Sequence, residues 1–527
     1  MMKSFPRVRW VALTSTVALA FVSGAWLLRP RPSAEGGVYQ QARLFEDVVA
    51  AIHHHYVDSL GEGDLYQRAS DALVKSLKDP YAELLVKDGY REYQRQMTGT
   101  EVDLGLEKTP TESGARGHGS FGAIAPGDQV LSIDGKSTRG WSTRKLDEEL
   151  RGGTGPIVTL LVLPKGARHP VVRRLTRTEI HVPAASEGMV LQGNIGYIVL
   201  RRMSDGAAEE LHQAVSRLVA EGVTGLVLDL RSNPGGLIRE GGGVASLFLH
   251  PYDTVATSVG RSSRQVKSYL AGRSADWDGL RLVVLINRGT ASSAELVAGA
   301  LQDHDRAVLA GTPTFGKGVL QTTYPLADEV ALKLTTARWY TPSGRSVQRP
   351  RADTAGGVGN RPPSLQPRTF RTDAGRPVPD ASGILPDLLV RSIPRSDGER
   401  LLLGILGDDM DHFRDVMVGY AAELRAARSV SNESFTVIPE MRDGLFQRLQ
   451  EAGVRLDRET FDQARGYVDE QLGYEIAREL FGSDSMLRRQ AKTDPQIQAA
   501  LRILRASRTQ QEALSLATAA QVAGRFR

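Results

Sequence analysis

A chain of 527 residues, 41% of them hydrophobic, has room for about two to four domains with sizeable cores. Its formal net charge of +5 comes from 66 basic and 61 acidic residues with no basic block, so no nucleic-acid partner is expected. Cysteine is absent, which excludes disulfides, thiolate metal sites, a cysteine nucleophile and a lipidated amino-terminal cysteine.

The amino terminus is basic at Lys3, Arg7 and Arg9, and residues 10–28 are then uncharged up to Arg29-Pro30-Arg31-Pro32. That pattern marks an exported chain. The uncharged stretch is long for a signal-peptide core and just long enough to span a bilayer, so residues 1–37 are expected to be a signal or anchor segment with its linker. The expected location is extracytoplasmic, in the periplasm or cell envelope, with residues 10–28 anchored in the inner membrane. Cleavage near Ala25, giving a soluble protein, is the alternative. Residues 38–97 have helical spacing, with Leu44, Val48, Val49, Ile52 and Tyr56 on one face and Leu65, Ala69, Ala72, Leu73 and Leu77 on another. His53-His54-His55 are consecutive on a helix and point in different directions, so they do not converge on one ion.

In residues 98–183, Gly105-Leu106, the turn Pro126-Gly127-Asp128, a helix around 143–150 and strands over 157–163 and 171–175 together resemble a PDZ domain. The resemblance implies a groove at Gly105 and Leu106 that holds a peptide carboxylate on loop N–H groups and adds the peptide as an edge strand. Between Leu106 and Pro126 the chain is short and rich in glycine (Gly114, Gly117, Gly119, Gly122), so ordering it costs more entropy and weak affinity for free carboxyl ends is expected. Ser142-Thr143-Arg144-Lys145 fits the Ser-x-x-Lys pattern of penicillin-binding enzymes, but its partner motifs are missing. There is also no Gly-x-Ser-x-Gly or His-Glu-x-x-His motif.

Strands and helices alternate from 184 to 395: a strand over 195–200, a helix over 207–220 and a buried strand over 225–230 that ends in Arg231-Ser232-Asn233-Pro234-Gly235-Gly236. A second apolar strand, 282–286, stops at Asn287-Arg288-Gly289, and Thr290-Ala291-Ser292-Ser293 leads into a helix over 294–302. Ser292 and Ser293 therefore sit at a strand-to-helix turn, where the positive end of a helix and free N–H groups stabilise a developing oxyanion. After a strand over 307–310, Lys317 lies between Gly316 and Gly318, and a hairpin follows over 319–324 and 329–336. Desolvation in an apolar pocket would leave a lysine as the neutral amine that a serine nucleophile needs as base. Taken singly, such serines also serve as helix caps and such lysines as turn residues.

The order Asn287, Ala291-Ser292, Glu295, Gln302-Asp303, Thr314-Phe315-Gly316-Lys317-Gly318, Gln321, Thr335-Thr336-Ala337-Arg338 and Tyr340-Thr341-Pro342-Ser343-Gly344 resembles the carboxyl-terminal processing, or tail-specific, proteases. The resemblance implies Ser292 as nucleophile, Lys317 as general base and Gln321 as the residue that orients the lysine. It implies an oxyanion hole from the N–H groups of Gly236 and Ser293. Thr290, Ser293 and Ala294 replace the family's usual Ser, Ala and Ser, which leaves Ser292 in place and makes Ser293 a neighbouring candidate nucleophile. Tyr56-Val57-Asp58, Leu77-Lys78-Asp79-Pro80 and Gly383-Ile384-Leu385-Pro386-Asp387 extend the likeness over residues 39–395.

Residues 349–382 are rich in Pro, Gly and Arg and read as a loop. Residues 396–527 read as a helical extension: an amphipathic helix over 411–428, another over 439–450, an apolar stripe at Phe461, Ala464, Val468, Leu472, Ile476 and Leu480, and a last helix opened by Asp494-Pro495. The extension is expected to pack within the protein, to pair two copies, or to dock an activating or adaptor protein. The expected whole is an α/β catalytic core with a mixed sheet and flanking helices (184–395), an inserted PDZ-like domain (98–183), an amino-terminal helical domain (38–97) and the carboxyl-terminal extension. Its expected function is that of a serine endopeptidase acting on polypeptides near unstructured carboxyl termini, with no metal and no cofactor. The rival expectation is a non-catalytic envelope scaffold that binds partners through the PDZ-like and helical domains.

Overall fold

The computed structural model describes residues 34–524 except 104–108, 112–113, 118–127, 142–144, 146–148, 151–156, 165–166, 263, 273–275, 351–368 and 381. The expected anchor at 10–28 and the expected groove residues Gly105 and Leu106 lie outside the described residues. Among the described residues no helix is long and apolar enough to cross a membrane. Met1–Leu84 and Leu85–Arg527 form two compact units. The first contains α1 (Ala34–His55) and α2 (Glu62–Ser76); α3 (Asp88–Thr98), which the sequence grouped with them, belongs to the second.

A parallel sheet organises the second unit. Its strands β1 (Ile195–Val199), β2 (Gly225–Asp229), β3 (Arg281–Ile286), β4 (Val308–Gly311) and β5 (Leu388–Leu389) lie side by side in chain order, with Met189–Leu191 antiparallel at the edge. The register runs Tyr197, Val227, Val283, Val308 across the sheet. Because side chains alternate along a strand, Leu226, Leu228, Leu282, Val284 and Ile286 face one layer while Val227, Val283, Leu285, Val308 and Ala310 face the other. Both layers are helical. The first is made by α4 (Ala207–Ala220), α5 (Ile238–Ser246) and α6 (Ser293–Asp303), through Leu211, Val215, Val244, Val297 and Leu301.

The second layer comes from the far end of the chain. Helices α12 (Pro495–Ala506) and α13 (Gln510–Val522) place Ile497, Ala500, Leu501, Leu504, Leu514 and Ala517 on the sheet, and the Gln510 side chain pairs with both the N–H and the C=O of Leu282. A boundary at residue 395 thus separates the sheet from the helices that close its second face. Strands buried on both faces have to be covered twice, which is why these helices are built in.

Of the rest of the carboxyl-terminal segment, α7 (Asp397–Leu406), α8 (Met410–Ala426), α9 (Pro439–Glu451) and α10 (Arg465–Phe481) have their own core around Phe413, Leu445, Phe461 and Leu472, while α11 (Ser483–Thr493) packs Leu487 and Ala491 with the second layer of the sheet. The apolar stripe read from the sequence is split between Arg458–Gln463 and α10.

The described strands between residues 109 and 176 form an antiparallel sheet, and Val130, Ile133, Leu150, Val158, Leu160 and Val162 form its core. A further antiparallel sheet carries β6 (Thr254–Gly260) and the hairpin β7 (Val319–Ala327) and β8 (Val330–Tyr340). Within the stretch read as a loop, Thr369–Arg371 and Pro377–Pro379 pair as a short hairpin.

Candidate active site

Three turns meet at the carboxyl ends of β2, β3 and β4, the end of a parallel sheet where ligands are generally held. The first, after β2, carries residues 231–236. Asn233 is fully buried; its Nδ2 donates to the Leu200 carbonyl and its Oδ1 accepts from Gly235 N–H, so the side chain folds the turn over itself. Gly236 has φ 147°, and a Cβ there would lie 2.4 Å from the Met203 carbonyl oxygen. Glycine is the residue that fits. Among the described residues the Gly236 N–H has no acceptor within the protein.

The second turn, after β3, carries the serines. Asn287 Oδ1 accepts from Ser232 N–H at 2.8 Å and from Gly289 N–H at 2.9 Å, tying the first two turns together. Thr290 Oγ1 donates to the Leu230 carbonyl and accepts from Asn287 N–H, and Ala291 N–H donates to the Asn233 carbonyl at 2.9 Å. Held this way, Ser292 adopts φ 56°, a conformation that costs a non-glycine residue of order 1–3 kcal/mol and persists where neighbours over-determine it. Ser292 is the N-cap of α6 and is 9% exposed. Ser293, the first residue of α6, has an N–H without an intrahelical acceptor at the positive end of the helix. Gly235 packs against this point so closely that a Cβ there would be 2.9 Å from Ser293 N. The turn through Gly235 therefore lies directly against Ser292 and the Ser293 N–H.

The hydroxyl of Ser293 goes elsewhere. It is buried without a hydrogen-bond partner among the described residues, and Ser293 Cβ lies against Gly241 of α5.

The third turn, after β4, carries Lys317. Its Phe315 N–H donates to the Thr290 carbonyl, and Trp339, fully buried on β8, donates from Nε1 to the Lys317 carbonyl at 3.2 Å and from its backbone N–H to Gly318. Lys317 is half-buried. Gln321 lies on β7 opposite Thr335, at an irregularity in the ladder between Leu320 and Gln321, with its Nε2 3.5 Å from Thr335 Oγ1.

One side chain joins the serine and lysine turns. Glu295, completely buried in α6, accepts Ser292 N–H at 2.9 Å and Lys317 N–H at 2.8 Å on Oε2, and Gly316 N–H at 2.8 Å and Thr314 Oγ1 at 2.6 Å on Oε1. Burial pushes its carboxyl above the ordinary range, and the hydrogen bonds from Thr314, Lys317, Gly316 and Ser292 oppose that. Four donors around one carboxyl match the acceptor capacity of its two oxygens. The sequence pointed to Glu295 only as part of a motif. Its spacing of three residues after the N-cap serine is that of a capping box, which was the available signal. Nothing local could show that the same carboxylate also holds the lysine turn.

Gly105 and Leu106 cannot be set against this geometry, since they lie outside the described residues. Among the described residues no group of three or more His, Asp or Glu side chains is arranged to hold a metal ion.

Peptidase family S41 matches residues 194–354, a stretch that contains all three turns. A carboxy-terminal-processing protease of Bartonella bacilliformis is 33% identical over 325 residues, covering 60% of this chain and 74% of that protein. The chain belongs to peptidase family S41, the carboxyl-terminal processing proteases. A carboxyl-terminal-processing protease of Synechocystis is 35% identical over 293 residues, 53% of this chain and 68% of that one. A solved photosystem II D1 C-terminal processing protease is 28% identical and covers 58% of this chain and 89% of its own, with a TM-score of 0.34. This member of the family is a peptidase, and its substrates are polypeptides.

Proposed function

We propose that this S41 peptidase is a serine endopeptidase working through Ser292 and Lys317 on polypeptides near unstructured carboxyl ends. The carrying observation is the Glu295 carboxylate, which fixes the backbone of Ser292 and of Lys317 to one anchor. In this reading Ser292 Oγ attacks the scissile carbonyl carbon while Lys317, as the neutral amine, takes the hydroxyl proton. The N–H groups of Gly236 and Ser293 hold the oxyanion, and Gln321 orients the lysine. The tetrahedral adduct collapses with cleavage of the C–N bond, and Lys317 returns its proton to the departing amine. Water, deprotonated by the same lysine, then hydrolyses the acyl-enzyme and restores Ser292.

We assign residues 98–183 to substrate selection as a PDZ-like domain and residues 10–28 to anchoring on the extracytoplasmic side of a membrane. The test of the catalytic reading is cleavage of an unfolded polypeptide by the full chain. Ser292→Ala and Lys317→Ala should each lose at least about a thousandfold in kcat/KM, the scale seen when a nucleophile or its base is removed. Near-native cleavage by either variant would overturn the assignment. Ser293→Ala should remain active, and an inactive Ser293→Ala beside an active Ser292→Ala would move the nucleophile one residue on.

A further inference from the structure

The turn after β2 is held at its start by a chain of polar groups that leads to the last helices. Tyr197 on β1 donates from its hydroxyl to Asp229 Oδ2 at 2.8 Å. Asp229, buried at the end of β2, accepts Arg231 Nε at 2.9 Å on Oδ1 and Arg231 Nη2 at 2.6 Å on Oδ2, a bidentate pair. The remaining arm of the same guanidinium, Nη1, reaches Asp494 Oδ2 at 2.6 Å and Gln496 Oε1 at 3.0 Å. Gln496 is itself buried and donates from Nε2 to the Val390 carbonyl beyond β5. Asp494 is the N-cap of α12, its other oxygen accepting Gln496 N–H at 2.8 Å and Ile497 N–H at 3.1 Å.

Every arm of Arg231 is therefore committed, two to the strand and one to the helix. The charge is mostly removed from water, with 19% of the side chain exposed. Burial opposes its ionisation, but Asp229 and Asp494 outweigh that and hold the guanidinium above its ordinary pKa. Directly after Arg231 the chain runs through Ser232, at φ 59°, and buried Asn233 to Gly235 and Gly236. The far end of the turn is fixed by Leu237 N–H on the Met203 carbonyl at 2.7 Å. A displacement of Arg231 has little slack to absorb it before Gly236.

We infer that Arg231 and Asp494 are positioning residues for hydrolysis, through which the carboxyl-terminal helix α12 sets the angle at which the Gly236 N–H meets the developing oxyanion. This rests on the reading of Gly236 as an oxyanion donor. It gives the carboxyl-terminal segment a part in turnover besides covering the sheet. The helix is suited to this because it is seated independently of the ion pair, through Ile497, Ala500, Leu501 and Leu504 in the core. A rigid body thus lies at one end of the link and a turn of small residues at the other.

Two variants separate positioning from folding. Asp494→Asn keeps an oxygen for the two N–H groups it caps but turns an amide toward Arg231, so the cap survives and the link is lost. Asp494→Ala loses both. With a quenched fluorescent peptide as substrate, kcat should fall about tenfold in both variants, less than the loss from deleting an oxyanion donor outright, while KM stays within about twofold. The melting temperature should fall clearly only in Asp494→Ala. Arg231→Lys should show the same kcat loss, because one ammonium cannot replace a fork that holds two carboxylates. A native kcat in Asp494→Asn, or a kcat that follows melting temperature across the set, would overturn the inference. Ser292→Ala is run beside them: its inactivity keeps the catalytic reading standing whatever the Asp494 variants do, whereas its activity would overturn that reading and this inference together.

Discussion

The parallel sheet and the antiparallel sheet of residues 109–176 bury their strands in opposite ways. In the parallel sheet, β2 and β4 are buried at every position and β3 at all but its first. In the antiparallel sheet, Ile157–Leu163 alternates between buried and partly exposed positions, and Val171–Thr176 has no buried residue. The first sheet needs helices on both faces and obtains them from two distant parts of the chain; the second needs only one covered face. The turns that present Ser292, Lys317 and Gly236 all leave the doubly covered sheet. A site that has to be held within fractions of an ångström stands on the part of the molecule with the least freedom to move.

The sharpest way to break this arrangement is at Glu295. Glu295→Ala removes the acceptor from the N–H groups of Ser292, Gly316 and Lys317 and from the O–H of Thr314 in a buried place, at about 1–3 kcal/mol for each group that finds no water. Cleavage of an unfolded polypeptide should fall at least about a hundredfold in kcat, with a lowered melting temperature. Glu295→Gln keeps one acceptor oxygen but places an amide against donors, so its loss should lie between those of the native protein and Glu295→Ala. Native kcat in Glu295→Ala would show that the two turns hold their places without it.

A paired core substitution tests the comparison itself. Leu285 and Leu160 are both fully buried, and each Leu→Ala change should cost about 2–5 kcal/mol. Leu285 packs between β3 and the carboxyl-terminal helices, so Leu285→Ala should reduce labelling of Ser292 by a serine-reactive probe in step with the loss of folded protein. Leu160 belongs to the small core of the antiparallel sheet, and Leu160→Ala should leave probe labelling nearly native while polypeptide cleavage declines. Equal effects on labelling would show that the two sheets unfold as one.

The same difference governs how much could be read from the sequence. Continuous apolar runs such as 225–230 and 282–286 reveal strands buried on both faces, and the serine and lysine turns follow directly from where those runs stop. The helices of the second layer were legible as helices, and Asp494-Pro495 marked the start of α12, but amphipathic spacing says only that a face is covered and not by what. Their place on Val283, Leu285 and Val308 depends on contacts some two hundred residues apart in the chain. For the same reason Arg231 read as part of a turn, with nothing local to point at Asp494. Glu295 was visible only as part of the family motif, and its role in joining two turns needed the turn after β4 to be folded beside it.

A smaller effect should come from pH at the other end of α6. His304, the C-cap residue, has Nδ1 2.7 Å from Asp373 Oδ2 and Nε2 2.8 Å from the Thr254 carbonyl oxygen. Burial lowers its pKa, while the Thr254 carbonyl and the Asp373 carboxylate raise it by more, so the folded value lies above the ordinary one. Its contribution to stability is then fully present below the unfolded pKa and is lost as pH rises through the raised folded value. The melting temperature of the native protein should fall over that window more than that of His304→Gln. Parallel profiles would show that the ring is neutral throughout.

The smallest expected effect concerns the end of the substrate. A groove that reads a free carboxylate needs loop N–H groups already in place before its edge strand, and here the segment between Leu106 and Pro126 is short and carries Gly114, Gly117, Gly119 and Gly122. Gly114 and Gly117 bound a strand that is already paired on both sides, so the entropic cost expected from the sequence falls on Gly119 and Gly122 and is subtracted from the affinity for the carboxylate. The parallel sheet holds Ser292 in place whether or not a carboxylate is bound elsewhere, so access of an unfolded segment to Ser292 should dominate selection. Amidating the carboxyl terminus of an unstructured model substrate should therefore change kcat/KM by no more than about twofold, which corresponds to roughly 0.4 kcal/mol. A loss of tenfold or more, confined to KM, would mean that the chain end is read after all.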